Sequence, residues 1–282
     1  MVVVAVPYPS GRSIGTAVDG AAAAVDRGAV ASRGEAHRFL LGPVHLQPGR
    51  GSSGGGRVAW SGEGEVGMAG VVESVNVGTP REVRWRGQTV TTAIWKSPVQ
   101  GRVRVRGVNV DGDRQANLEV HGGVDKALYA YAAEDQEWWS GQLGREVPPG
   151  SFGENLTLRG IDVSGALVGE RWLVGGTLLE VSQPRIPCFK LGIRMGSQRF
   201  PRWFAAAGRP GAYLRIRSEG EVAAGDPVEV VHRPGHGLTV AEVSRIYHDD
   251  HAAAARLLEV PELADSWRQW ARRFATAAAG GT

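Results

Sequence analysis

The chain has 282 residues, 42% hydrophobic and 22% charged, which is ordinary for a globular protein and enough for one large domain or two small ones. Its 32 Lys and Arg against 29 Asp and Glu leave a formal charge of +3, too little for a non-specific nucleic-acid binder and compatible with a small anionic ligand. A single cysteine excludes an intrachain disulfide and any multi-cysteine zinc site, and points to a reducing compartment.

Residues 1–67 differ in texture from the rest. "DGAAAAVDRGAVASRGEA" is Ala/Gly-rich and "QPGRGSSGGGR" is linker-like. Such a segment buries too little apolar surface to offset its ordering entropy, so a disordered extension is expected, with Met68 as a plausible true start. The opening "MVVVAVPYPSGR" lacks a preceding basic segment and is interrupted by Pro7 and Pro9, so it reads as neither signal peptide nor anchor. No apolar run approaches the roughly 18 residues of a membrane span, and a cytoplasmic location is expected.

From Val71 the pattern is short and β-like. "REVRWRGQTVTTAIW" predicts a hairpin around Arg86-Gly87, "GRVRVRGVNV" is strand-like, and "ERWLVGGTLLEVSQP" predicts two strands around Gly175-Gly176. "GAYLRIRS" and "DPVEVVHR" read as a later pair joined by "EGEVAAG". Regularly spaced short strands imply a curved sheet or barrel. "AAEDQEWWSGQLG" predicts a helix with acidic residues first and Gly144 as its stop, and "QRFPRWFAAAG" a short one from about Pro201 to Gly208. After His236, three short helices are expected over 237–276: "LTVAEVSRIYHDD", with Thr239 and Glu242 at capping-box spacing, then "HAAAARLLEV", then "PELADSWRQWARRFATA" with Pro261 in its first turn.

Three stretches carry candidate chemistry. "DGDRQANLEVHGGVDKALYAY" gathers Asp113, Arg114, Gln115, His121, Asp125 and Lys126 around Gly122-Gly123, as a polar site loop or as a solvated surface turn. "PGSFGENLTLRGID" has Gly150 and Gly153 for sharp turns and Asn155, whose amide could donate to an oxo group or a pterin edge but, taken alone, better suits a loop closing a strand with Asn155 capping a turn. "QPRIPCFKLG" sets Cys188 between Pro184, Pro187, Arg185 and Lys190, with Arg194 beyond. Positive neighbours favour a thiolate, which serves as nucleophile or soft metal ligand; the plain alternative is a small buried residue. His248, Asp249, Asp250 and His251 resemble a metal cluster but suit a solvated helix end better. Trp138, Trp139, Trp172 and Trp203 read as core. No GxGxxG, P-loop or HExxH motif is present.

Together, "DGDRQANLEVHGGVDKALYAY", "GSFGENLTLRGI" and "QPRIPCFKLG", in that order and followed by "HGLTVAEVSRIY", resemble the MOSC family, named for the C-terminal domain of molybdenum-cofactor sulfurase, and within it the bacterial YiiM-type branch. The resemblance spans roughly Met68 to Phe274. It implies an α+β fold: a β-rich, barrel-like MOSC domain over 68–234 with interspersed short helices, and a three-helix module over 237–276. It implies molybdenum cofactor, with Cys188 as thiolate ligand to the metal, Asn155 beside the metal's oxo or substrate face, and His121 and Lys126 lining the cleft. Arg185, Arg194 and Lys190 are candidates for the cofactor phosphate by charge and proximity.

The implied chemistry is molybdenum-dependent reduction, and so detoxification, of N-hydroxylated compounds such as hydroxylamino-purine bases. His121 is the candidate proton donor, since an unperturbed imidazole titrates at about 6.5. With no flavin, haem or iron–sulfur motif, electrons come from a separate donor protein. The alternative is a sulfur or cofactor carrier with a persulfide on Cys188 and no turnover. Pyridoxal phosphate belongs to the family only through a separate domain and is not expected here. A DNA-binding reading of the helical tail is disfavoured by Glu242, Asp249, Asp250, Glu259, Glu262 and Asp265.

Overall fold

The computed structural model describes residues 68–116 and 122–279. The expectations for residues 1–67 and for His121 lie outside those described residues.

Seven strands close into a barrel. In chain order they are β1 (Met68–Val77), β7 (Leu128–Ala132), β8 (Leu156–Arg159), β9 (Arg171–Val174), β10 (Thr177–Pro184), β11 (Ala212–Ser218) and β13 (Pro227–His232). Around the barrel the order is β13-β9-β10-β11-β7-β8-β1, and β1 pairs back to β13. All neighbours are antiparallel except β7 and β8, whose connection contains helix α1 (Ala133–Leu143). Closure leaves none of the seven strands with an open edge.

Outside the barrel, β2 (Arg81–Trp85) and β3 (Gln88–Thr92) form the hairpin read from the sequence, with Arg86 at φ 51° and Gly87 at φ 80° in the two-residue turn. The short β4 (Ser97–Pro98) pairs antiparallel with the end of β1, and β5 (Val103–Arg106) pairs with β6 (Asn109–Val110).

The later strand pair is corrected. β11 and β13 are not partners: β11 lies between β10 and β7, and β13 between β9 and β1. The linking segment holds another strand, β12 (Gly220–Val222), which pairs with β5. Closing a barrel demands non-local partners that a local alternation pattern does not specify.

Helix α1 begins with Glu134 and Asp135 and ends at Gly144, at φ 60°, whose N–H returns to the Ser140 carbonyl. α2 (Phe189–Met195) and α3 (Phe200–Ala206) follow β10. At α4 (Val240–Asp249) the Thr239 hydroxyl accepts from the Glu242 N–H at 3.1 Å, while the Glu242 carboxylate pairs with Arg256, so only half of the capping box forms in the expected way. The next helix, residues 251–259, is 3₁₀ rather than α. Pro261 does not begin the last helix, α5 (Asp265–Ala279). It holds Val260 extended, at φ −111° and ψ 96°, and so ends the 3₁₀ segment.

Trp172, Leu179, Val181, Leu214 and Val228 belong to a core that continues into Val240, Val243, Ile246, Leu257, Leu263 and Trp267 of the helical tail. Each such side chain contributes about 1.5–3 kcal/mol by leaving water. Trp267 Nε1 also donates to Gln183 Oε1 of β10 at 2.9 Å. A second, aromatic core holds Tyr129, Tyr131, Trp139, Phe152, Phe200 and Phe204. Trp139 and Trp172 are thus fully buried, and Trp138 and Trp203 pack against the aromatic core.

Candidate functional site

The end of β10 leads straight to Cys188. Pro184 still pairs with Ala212 of β11; Arg185, Ile186 and Pro187 then carry the chain to Cys188, the residue before α2. Cys188 is half-buried, and its side chain makes no capping bond to the helix. It lines a cleft with about 610 Å³ of space between its walls, part of it open to solvent.

Among the described residues, five cations line that cleft: Lys96, Arg114, Lys126, Arg185 and Lys190. None of the described residues lining it is acidic. Arg185 is 6% exposed, with its guanidinium carbon 5.1 Å from the Tyr129 ring centroid and 5.6 Å from that of Phe204. Its Nη1 is buried and has no hydrogen-bond partner. Burial opposes its charge, but Tyr129, Tyr213 and Cys188 more than offset this and hold its proton tighter than usual. A buried guanidinium N–H without an acceptor costs free energy unless a ligand meets it.

Lys126 ends a 3₁₀ turn, Val124–Lys126, entered through Gly123 at φ 95°. Burial lowers its pKa, and Asp125 partly opposes this. Lys96 is likewise lowered by burial against the pull of Asp113, its partner at 2.5 Å. The hydroxyls of Tyr129 and Tyr213 are pushed up by burial, so both stay neutral and able to donate.

Asn155 reaches the cleft but is heavily committed. Its Oδ1 accepts from the Tyr129 N–H at 3.1 Å, and its Nδ2 donates to the Asn76 carbonyl at 3.3 Å. The loop before it is organised by Glu154, fully buried, which accepts from the N–H groups of Gly150 at 2.5 Å and Phe152 at 3.0 Å and from the Gln136 amide. Burial raises the Glu154 pKa, against these hydrogen bonds.

Of the residues singled out from sequence, Arg114, Gln115, Lys126, Asn155, Arg185, Cys188 and Lys190 come together at this cleft. Arg194 does not line it; its guanidinium lies 5.8 Å from the Trp95 ring centroid, one helical turn past Lys190. His121 lies outside the described residues. Lys96, Tyr129 and Tyr213 were missed: Lys96 sits in a loop, Tyr213 reaches the cleft by pairing with Tyr129, and Tyr129, though within the first motif, reads there as strand core.

Among the described residues no three His, Cys, Asp or Glu side chains gather as a metal site, the His248–His251 segment included. His251 Nε2 is instead 2.9 Å from the Tyr247 carbonyl oxygen. No helix among the described residues is long and apolar enough to cross a membrane.

The MOSC domain family matches residues 117–229, and the YiiM-like, 3-alpha helix domain family matches residues 238–273. Uncharacterized protein YflK of Bacillus subtilis strain 168 is 36% identical over 200 residues, which are 70% of this chain and 90% of that protein. A protein of Gibberella moniliformis named Reductase is 30% identical over 202 residues, 69% of this chain but 35% of its own length. The crystal structure of YiiM from Geobacillus stearothermophilus superposes with a TM-score of 0.60 at 32% identity, covering 73% of this chain and 98% of that one.

Proposed function

The chain belongs to the MOSC family and carries the YiiM-like three-helix domain behind it, and from that premise we propose that it binds molybdenum cofactor in the Cys188 cleft and reduces N-hydroxylated compounds such as hydroxylamino-purine bases. The observation that carries this reading is the buried, unpartnered Nη1 of Arg185 in a cleft that Cys188 shares with four further cations. A pterin cofactor with an anionic phosphate and a metal that takes one protein thiolate fits that donor set.

Cys188 holds the metal, fixed in place by the two prolines and by the start of α2. Arg185 and Lys190 neutralise the phosphate, with Lys126 strengthening the positive field, while Lys96 is tied up with Asp113. Asn155 ties the cleft wall to β7 and β1, and one N–H of its amide remains for a ligand. The cofactor, when bound, supplies the two-electron reduction of the N–O bond. The balance is one R–NHOH, two electrons and two protons to R–NH₂ and water. His121 is the proposed proton donor, and a separate redox protein is the proposed electron source. The fungal relative named Reductase agrees with this class of chemistry.

The test is reduction of a hydroxylamino-purine by cofactor-loaded protein with an artificial electron donor. Wild type is expected to turn over and Cys188→Ala to lose at least a hundredfold in rate, on the order of a transition-state interaction removed outright. Full activity in the variant would reject the ligand role. A half-buried thiol opening on a cleft also suits the carrier reading; persulfide on Cys188 with no turnover would favour it.

A further inference from the structure

We propose that Arg215 is a positioning residue that clamps the Lys126 turn to the barrel and to the helical tail, so that the tail helps set the anion site of the cleft.

The 3₁₀ turn Val124–Lys126 buries none of its three side chains, and Val124 is 62% exposed. Polar contacts therefore weigh heavily in placing it. Arg215, on β11 and only 10% exposed in its side chain, reaches three elements at once. Its Nε donates to Asp125 Oδ1 at 2.5 Å, and its Nη1 to Glu180 Oε1 of β10 at 2.9 Å and to the Glu262 carbonyl of the helical tail at 2.7 Å. The Ser182 hydroxyl donates to the Asp125 carbonyl at 2.6 Å, fixing the same residue from β10. Asp125 immediately precedes Lys126, which lines the cleft; Asp125 and Arg215 instead line a separate groove with Glu262 and Arg268.

The clamp has a firm base. Glu180 is fully buried and also takes Arg171 at 3.0 Å and Arg217 at 2.9 Å. Burial pushes its pKa up, but the three arginines more than offset this and keep it ionised. A planar guanidinium with five donors can hold such divergent acceptors together, and an ammonium cannot in the same geometry.

Through-space charge and positioning predict opposite signs for one substitution. Asp125→Ala removes a negative charge beside an anion site, so Coulomb's law alone predicts tighter anion binding. It also removes the acceptor of the Arg215 Nε–H, and loss of that clamp predicts weaker binding. The probe is inorganic pyrophosphate, titrated calorimetrically into full-length protein from a host unable to make the cofactor. The inference rests on reading the cleft as the cofactor's anion site, so wild type is measured first. The expected result is that Asp125→Ala and Arg215→Lys each weaken pyrophosphate about five- to tenfold, and that neither adds a loss in a Lys126→Met background, as coupled residues behave in a double-mutant cycle. Equal or tighter binding by Asp125→Ala would overturn the clamp, and so would an undiminished loss in the Lys126→Met background. Failure of wild type to bind pyrophosphate would instead overturn the anion-site reading beneath it. Asp125 is 41% exposed, and Arg215 keeps Glu180 and the Glu262 carbonyl without it, so Asp125→Ala is expected to fold even where substitutions of Arg215 do not.

Discussion

The Asn155 amide joins β7 to β1 by accepting from the Tyr129 N–H and donating to the Asn76 carbonyl, all within a buried network. Asn155→Ala would leave both groups unsatisfied and is expected to cost about 1–3 kcal/mol in urea unfolding; an unchanged midpoint would show that the amide is free for ligand work alone. Cys188 is the opposite case. It is half-buried and caps nothing with its side chain, so Cys188→Ala is expected to change stability by no more than about 0.5 kcal/mol while removing function. Lys126 supplies a pH dependence. Burial lowers its pKa, so its charge is lost at a lower pH than that of an exposed lysine. Anion affinity is therefore expected to fall as pH rises through that lowered value, and Lys126→Arg, whose charge persists, to delay the fall. Pyrophosphate titrations of both proteins across alkaline pH decide this; superimposable profiles would count against Lys126 as an anion ligand.

At the scale of elements, the loop before Asn155 shows how backbone shape sets the cleft wall. Gly150 has φ 82°, and a Cβ there would sit 2.5 Å from the Lys96 carbonyl oxygen. Gly150→Ala is thus expected to lower stability by about 1–3 kcal/mol and to weaken anion binding by displacing Lys96; a thermal melt and a pyrophosphate titration that both match wild type would refute this. Elements with local signals were legible in the sequence: the Arg86-Gly87 hairpin from its turn, α1 from its acidic start and glycine stop, Cys188 and its cations from one short motif. Lys96 and Tyr213 were not, because they sit in unremarkable loop and strand text, and Tyr129, though inside a motif, reads as apolar strand; they meet only when β7 pairs with β11 and the Gly150 loop packs on Lys96. Arg194 lies off the lining of the cleft for a related reason. Proximity in sequence to Cys188 does not fix which way a helical side chain turns, and this one meets Trp95.

At the scale of the molecule, the barrel and the helical tail share one core, with Val240, Ile246, Leu257 and Trp267 continuous with Trp172 and Leu179. Removing residues 236–282 would expose that apolar surface and release the Glu262 carbonyl from Arg215, so the truncated chain is expected to lose cooperative unfolding rather than persist as a free barrel. A single sharp melt of the truncated chain at the wild-type temperature would contradict this. The barrel itself was legible as a class from its strand spacing, but its closure through β1 and β13, about 160 residues apart, belongs to the long-range packing that local patterns omit.

The proposed function depends on the sulfur of Cys188 holding a pterin-bound metal. The most direct measurement is molybdenum and pterin content of wild type and Cys188→Ala, both purified from a host that makes the cofactor. Near-stoichiometric molybdenum with pterin is expected in wild type, and a large loss of molybdenum in the variant. Wild-type protein carrying neither, or a variant retaining molybdenum in full, would contradict it.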